Sequence, residues 1–282
     1  MALTATVKPR GPYSLALSLR LASDATRLAR GGALTALLPG GELVSARQLP
    51  DGAVVCRAES ESGLERLRFV LALDDDHTEF LLRFARDPLL GKTTRVLRGF
   101  RPPRVGTVAQ ALLRALCGQL IDSRRARALE RAIVRAATPE RSGLHEPPSG
   151  DELAGFSTAV LRALGLHARR AATLVRLCRE LDLERLKELP TEAAAERLQR
   201  ERGLGPWSVG VVCLEGLGRP ERGLVGDLGL VKLCSGLRGR WVEAWETAEL
   251  LEPYGEWAGL ASVYLLAGWS RGLVPVPKPQ AA

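Results

Sequence analysis

A chain of 282 residues, 46% apolar and 26% charged, has the balance of a folded protein and the length for two domains or one elaborated one. A net charge of +8 with a pI near 9.7 favours a polyanionic partner, because every Lys or Arg that neutralises a phosphate releases condensed counterions. Five scattered cysteines without a CxxC pair, and three histidines without ligand spacing, argue against a disulfide framework, an iron–sulfur cluster and metal catalysis.

Residues 12 to 73 read as strands between turn signals: SLALSLRL, GALTALL, ELVSARQL, AVVCRAE and LERLRFVLAL, with Pro39-Gly40-Gly41 and Pro50-Asp51-Gly52 as turns. This pattern predicts an antiparallel sheet. Asp74, Asp75 and Asp76 precede the apolar-periodic FLLRFA and suit the acidic start of a helix. From TVAQALLRALCGQLI onward the period is helical, and Val108, Ala111, Leu112, Ala115 and Leu116 fall on one face. RRARALERAIVRAA is a second helix with a basic face, and residues 141 to 153 read as a polar connection. STAVLRALG, HARRAATLVRLCRELD, LERLKEL and TEAAAERLQRERG are four further helical patterns. The tail VPVPKPQAA reads as extended. MALTATVKPRGPYS lacks an apolar signal core, and no apolar run reaches about 18 residues, which predicts a cytoplasmic protein with no membrane span.

AAERLQRERGLGPWSVGVVCLEGLG predicts a helix, a tight turn at Gly203 and Gly205, and a second helix whose first main-chain N–H groups point outward, as an anion requires. Asp227 follows through a GRPERGLVG loop and precedes LGLVKLCSGL, the place of a helix N-cap. A carboxylate held there stays ionised and can stabilise positive charge developing on a sugar. All five tryptophans (Trp207, Trp241, Trp245, Trp257 and Trp269) lie in the last third, and Trp207 and Trp257 are placed to offer faces to a base.

These residues together resemble the helix-hairpin-helix DNA glycosylase superfamily, and within it the 3-methyladenine DNA glycosylase II branch. The resemblance runs through ALLRALCGQLIDSRRARALERAI, GLHARRAATLVRLC, LQRERGLGPWSVGVVCLEGLGRP, VGDLGLVKL and EWAGLASVYLLAGW, covering residues 108 to 270. It implies an α+β chain: an N-terminal antiparallel β domain with a helix over 1–100, of the TATA-binding-protein-like kind, an all-α core of two helical lobes over 101–272, and a Pro-rich tail over 273–282. It implies a monofunctional N-glycosylase that flips alkylated purines out of damaged double-stranded DNA and acts as a monomer in the nucleoid-bearing cytoplasm. Glycosylases for oxidised, deaminated or mismatched bases, and a non-catalytic damage-binding module, are the alternatives.

Asp227 matches the catalytic acid. Trp207, Trp257 and Tyr254 match the base pocket, Leu120 and Gln119 the wedge that enters the duplex, and Gly203, Leu204, Gly205 and Ser208 the phosphate clamp. Bifunctional relatives carry a lysine just after the hairpin glycines, where this chain has Pro206-Trp207, so Schiff-base chemistry is not expected. The last cysteine is Cys234, so the four C-terminal cysteines of the cluster-bearing relatives are missing and no cofactor is implied. A structural monovalent cation at the hairpin is compatible with the resemblance.

Overall fold

The computed structural model describes residues 3–20 and 22–275, and the expected tail beyond Pro275 lies outside them. The strands β1 (Leu3–Val7), β2 (Arg27–Arg30), β3 (Ala33–Leu38), β4 (Glu42–Gln48) and β5 (Val54–Ala58) form one antiparallel sheet in the order β1-β5-β4-β3-β2. Register places Leu34 opposite Ala46, Ala36 opposite Val44 and Ala46 opposite Cys56. The period of two therefore puts these side chains on one face, which is buried.

Two helices cover that face, α1 (Leu15–Leu19) and α2 (Glu61–Val70). Both segments read as strands in sequence, and the structure corrects this. Ser14 Oγ accepts from Leu17 N and Ser60 Oγ from Gly63 N, so each segment opens with an N-cap that satisfies a main-chain donor a strand would have paired in a ladder. In α2 the buried Leu67 and Val70 stand three residues apart, the spacing of a helix face. β1 and β2 were not expected.

The helical body contains α3 (Thr78–Arg83), α4 (Gly91–Val96), α5 (Val108–Gly118) and α6 (Ser123–Ala137). A short hairpin, β6 (Glu140–Arg141) and β7 (Leu144–His145), follows, where only a polar connection was read. Then come α7 (Gly150–Ala154), α8 (Thr158–Ala163), α9 (Ala168–Glu180), α10 (Thr191–Gln199), α11 (Pro206–Val211), α12 (Leu228–Arg238), α13 (Thr247–Leu251) and α14 (Ala258–Trp269). Of the three aspartates, Asp76 meets the start of α3 by accepting from Thr78 N at 2.8 Å, while Asp74 pairs with Arg68 and Asp75 with Arg104. Helix α5 is the centre of the body. Val108 through Leu113 and Ala115 through Cys117 are all fully buried, so it is enclosed on every side and not along one stripe.

Arginines stitch the sheet to the helices. Arg114 of α5 donates Nη2 to Asp24 at 2.8 Å, Nη1 to Glu215 at 2.6 Å and Nε to Glu130 at 3.0 Å. Arg27 reaches from β2 to Arg104 O, and Arg104 bonds Asp75 and Gly218 O while lying over the Phe69 ring. Asp24, although desolvated, is held below the usual carboxylate range by Arg27 and Arg114, whereas burial pushes Glu130 up. All five cysteines are buried free thiols, and burial raises Cys56 to about 11 and Cys178 to about 12, which leaves them inert as nucleophiles.

Candidate active site

The hairpin is built by α10, a turn, and α11. Gly203 takes φ +99, and a Cβ there would stand 2.6 Å from Thr173 Oγ1, so only glycine lets the turn close onto α9. Arg176 of α9 fixes it from the side, donating to Glu201 Oε2 at 2.8 Å and to Arg202 O at 3.1 Å. Gly205 is the N-cap of α11 with Pro206 in the first turn, where a missing N–H costs nothing. Space beside Gly205 is open. The main chain at Gly203 and Gly205 is thus free to meet an anion. The other two expected clamp residues face inward: Leu204 is buried, and Ser208 is buried with its Oγ accepting from Gln119 Nε2 at 2.9 Å. Both side chains belong to the core, and any contact that either residue makes with phosphate is through its main chain.

Past α11 the chain makes a π-helical turn, Val212–Gly216, then a loop that delivers Asp227 to the N-cap of α12. Its Oδ1 accepts from Gly229 N at 2.8 Å and Leu230 N at 3.3 Å, and its Oδ2 accepts from Trp207 Nε1 at 2.9 Å. The carboxylate is therefore oriented from both oxygens, and of its roughly four acceptor sites one stays free. Trp207 is itself held: a Cβ at Gly118 would come to 2.5 Å from the indole Cη2, so the end of α5 lies directly against the ring. This close approach was not read from sequence; the glycine in CGQLI was its only signal.

Gln119 and Leu120 part company. Gln119 Nε2 donates to Gly203 O at 3.0 Å and to Ser208 Oγ, so it braces the hairpin and is not a free wedge. Leu120 is 97% exposed at φ +56, a conformation that large side chains rarely adopt, so it is no part of the core.

Neither Tyr254 nor Trp257 hydrogen-bonds the acid among the described residues. Tyr254 is buried with its ring 5.1 Å from Phe84 and its hydroxyl on Asp87 at 3.3 Å, and burial raises its phenol. Trp257 packs at 5.8 Å on Phe80 and edge-on to His77, its indole nitrogen buried. The 3-10 turn Glu252–Trp257 directs both rings toward α3 and Phe84, with Tyr254 buried in the core and Trp257 half-buried against it. The well-exposed indoles are instead Trp241 and Trp245, both near two-thirds exposed.

The DNA-3-methyladenine glycosylase of Bacillus subtilis is 27% identical over 205 residues, 68% of this chain and 67% of that protein. Two further curated relatives are matched over less than half of their own length. No family model matches. A 3-methyladenine DNA glycosylase from Archaeoglobus fulgidus superposes with a TM-score of 0.79 at 23% identity, covering 95% of this chain and 98% of that one. The chain is similar in sequence to a 3-methyladenine DNA glycosylase and shares the fold of the helix-hairpin-helix DNA glycosylase superfamily. Its likeness within the superfamily runs to the 3-methyladenine branch. An 8-oxoguanine glycosylase/lyase of Clostridium acetobutylicum, solved with double-stranded DNA, shares the fold at a TM-score of 0.78 and 19% identity, covering 96% of this chain and 98% of that one. Among the described residues no helix is long and apolar enough to cross a membrane.

Proposed function

We propose that the chain is a monofunctional DNA N-glycosylase that excises alkylated purines, such as 3-methyladenine and 7-methylguanine, from duplex DNA by base flipping. The observation that carries this reading is the Trp207–Asp227 contact. The side chain that reaches the acid from the hairpin is an indole and not an amine, so the site supplies an oriented carboxylate without a Schiff-base nucleophile. The names of the relatives support the alkylated-base class.

An N3- or N7-alkylated purine is cationic. When its glycosidic bond breaks, the bonding pair leaves with the base, which departs neutral, and positive charge collects on the sugar. Asp227 stabilises that charge, and its free acceptor site is available to the water that adds at C1′ and sheds a proton. No acid is needed for such a leaving group, and among the described residues no carboxylate partners Asp227 in its hydrogen bonding. Leu120, at the end of α5, is exposed as a residue that fills the gap left by an everted nucleotide must be. The open main chain at Gly203 and Gly205 would grip phosphate without reading sequence. The reading includes a cofactor-free monomer in the cytoplasm and is compatible with a structural monovalent cation at the hairpin.

Asp227→Asn tests it. Release of 3-methyladenine from duplex should fall by at least about 100-fold while affinity for an abasic duplex holds. Near-wild-type excision by this variant would remove Asp227 from the chemistry. Products left as intact abasic strands are expected; strand scission would contradict the monofunctional reading.

A further inference from the structure

The two exposed indoles are not distributed at random. Trp241 and Trp245 are 62% and 66% exposed, whereas Trp207 and Trp257 pack against the core. Trp241 precedes the 3-10 turn Ala244–Glu246 and Trp245 lies within it, and that turn is tied to the residue before the acid: Gly226 N donates to Thr247 Oγ1 at 2.8 Å, and Thr247 Oγ1 donates to Ala244 O at 2.7 Å. A Cβ at Gly226 would meet Ala244 Cβ at 3.5 Å, so the turn and the Asp227 loop are in contact. Leu228, the residue after the acid, is 56% exposed. Asp227 therefore has Trp207 bound to it on the hairpin side and, through Gly226, the turn bearing Trp245.

The turn is stiff. Val242 is fully buried and donates its N–H to Ser235 Oγ of α12 at 3.1 Å. Glu243 N donates to Glu246 Oε2 at 2.6 Å, and Arg238 donates to Glu246 Oε1 at 2.8 Å. Such a scaffold holds two large apolar faces in water without letting them fold inward. Exposed aromatic area next to a binding groove marks the surface of a partner, and rings that lose little entropy on contact are suited to stacking.

We propose that Trp241 and Trp245 form a stacking wall of the DNA groove beside Asp227, packing on bases and deoxyriboses of the strand that carries the lesion. The occupant is DNA because the turn is continuous with the catalytic loop and with the exposed Leu228. This rests on the glycosylase reading for the identity of the groove. The wall contributes affinity and placement, not chemistry, and it is sequence-tolerant because every base has a face to stack.

The experiment uses the full chain carrying Trp241→Ala, Trp245→Ala, the double variant, and the matching Phe substitutions, with an abasic duplex as the binding probe. Each alanine should weaken binding by about 5- to 150-fold, and phenylalanine should restore most of it. The slope of log K against log salt should not change, since stacking releases no counterion, and the single-turnover excision rate of saturated complex should hold while KM rises. Unchanged thermal midpoints are expected of such exposed side chains. Wild-type affinity in the double alanine variant overturns the proposal. So does wild-type self-association that the double variant abolishes without loss of DNA affinity, which would make a second copy the occupant. If the wild-type chain releases no base from any lesion, the glycosylase reading fails instead, and the binding arm still reports on the indoles.

Discussion

Arg114 on α5 and Arg124, Arg125 and Arg127 on α6 lie within one helical hairpin and meet opposite surroundings. Arg114 is ringed by Glu130, Glu215 and Asp24, all three within 3.0 Å. Arg124, Arg125 and Arg127 are exposed and have no acidic partner among the described residues. The three start a helix that follows directly on Leu120, so they stand beside the side chain read as entering DNA. The 40 lysines and arginines therefore do not share one role. Some are neutralised in joining the sheet to the helices, and the unpaired ones are available to phosphate.

The largest effect should come from breaking the inner set. Arg114→Met leaves three carboxylates facing one another in a largely buried seam, and removing one partner of a buried ion pair costs about 3–5 kcal/mol. Denaturant unfolding measures this directly. A cost below about 1 kcal/mol would mean that Arg114 behaves as a surface pair, no different from the arginines of α6. The outer set should respond in the other way. Arg124→Ala, Arg125→Ala and Arg127→Ala combined should leave stability within about 0.5 kcal/mol, yet flatten the salt dependence of duplex binding by about 0.9 in slope for each arginine that meets a phosphate. An unaltered slope would exclude this face from the DNA interface.

The same contrast explains which features the amino-acid sequence alone makes legible. The hairpin and Asp227 were legible because their signals are local: two glycines ahead of a helix, and an acid just before one. The exposure of Leu120 was not, since a leucine in an apolar run reads the same whether it ends in the core or in solvent; its φ of +56 is a property of the chain path. SLALSLRL was misread for a related reason. Its alternation is real, but helix α1 is only five residues long, too short for a 3.6 period to show, and Ser14 as an N-cap was the only cue. The packing of Tyr254 and Trp257 was not legible because aromaticity carries no direction. What turned them toward Phe84 and Phe80 is packing between segments more than 160 residues apart, which no local pattern encodes. The arginine seam was equally hidden, since Asp24, Arg114, Glu130 and Glu215 share no motif.

Between the paired interior and the unpaired surface lies Glu246, and it gives the smallest and most specific effect. The hydrogen bond from Arg240, then the main-chain N–H of Glu243, hold its carboxyl down at about 2 against an ordinary 4.5. A folded pKa below the unfolded one stabilises the protein above the unfolded value and loses that contribution as pH falls from about 4.5 toward 2. Glu246→Gln should therefore lower stability at neutral pH and remove part of the acid-limb dependence between those values, with the two proteins converging near pH 2. Unfolding midpoints measured across that range decide it, and parallel curves for the two proteins would show that Glu246 is not titrating as a clamp. Because Glu246 fixes the turn that carries Trp245, the same substitution should also weaken duplex binding, by less than loss of the indole itself: a loosened ring still stacks, but pays more entropy to do so.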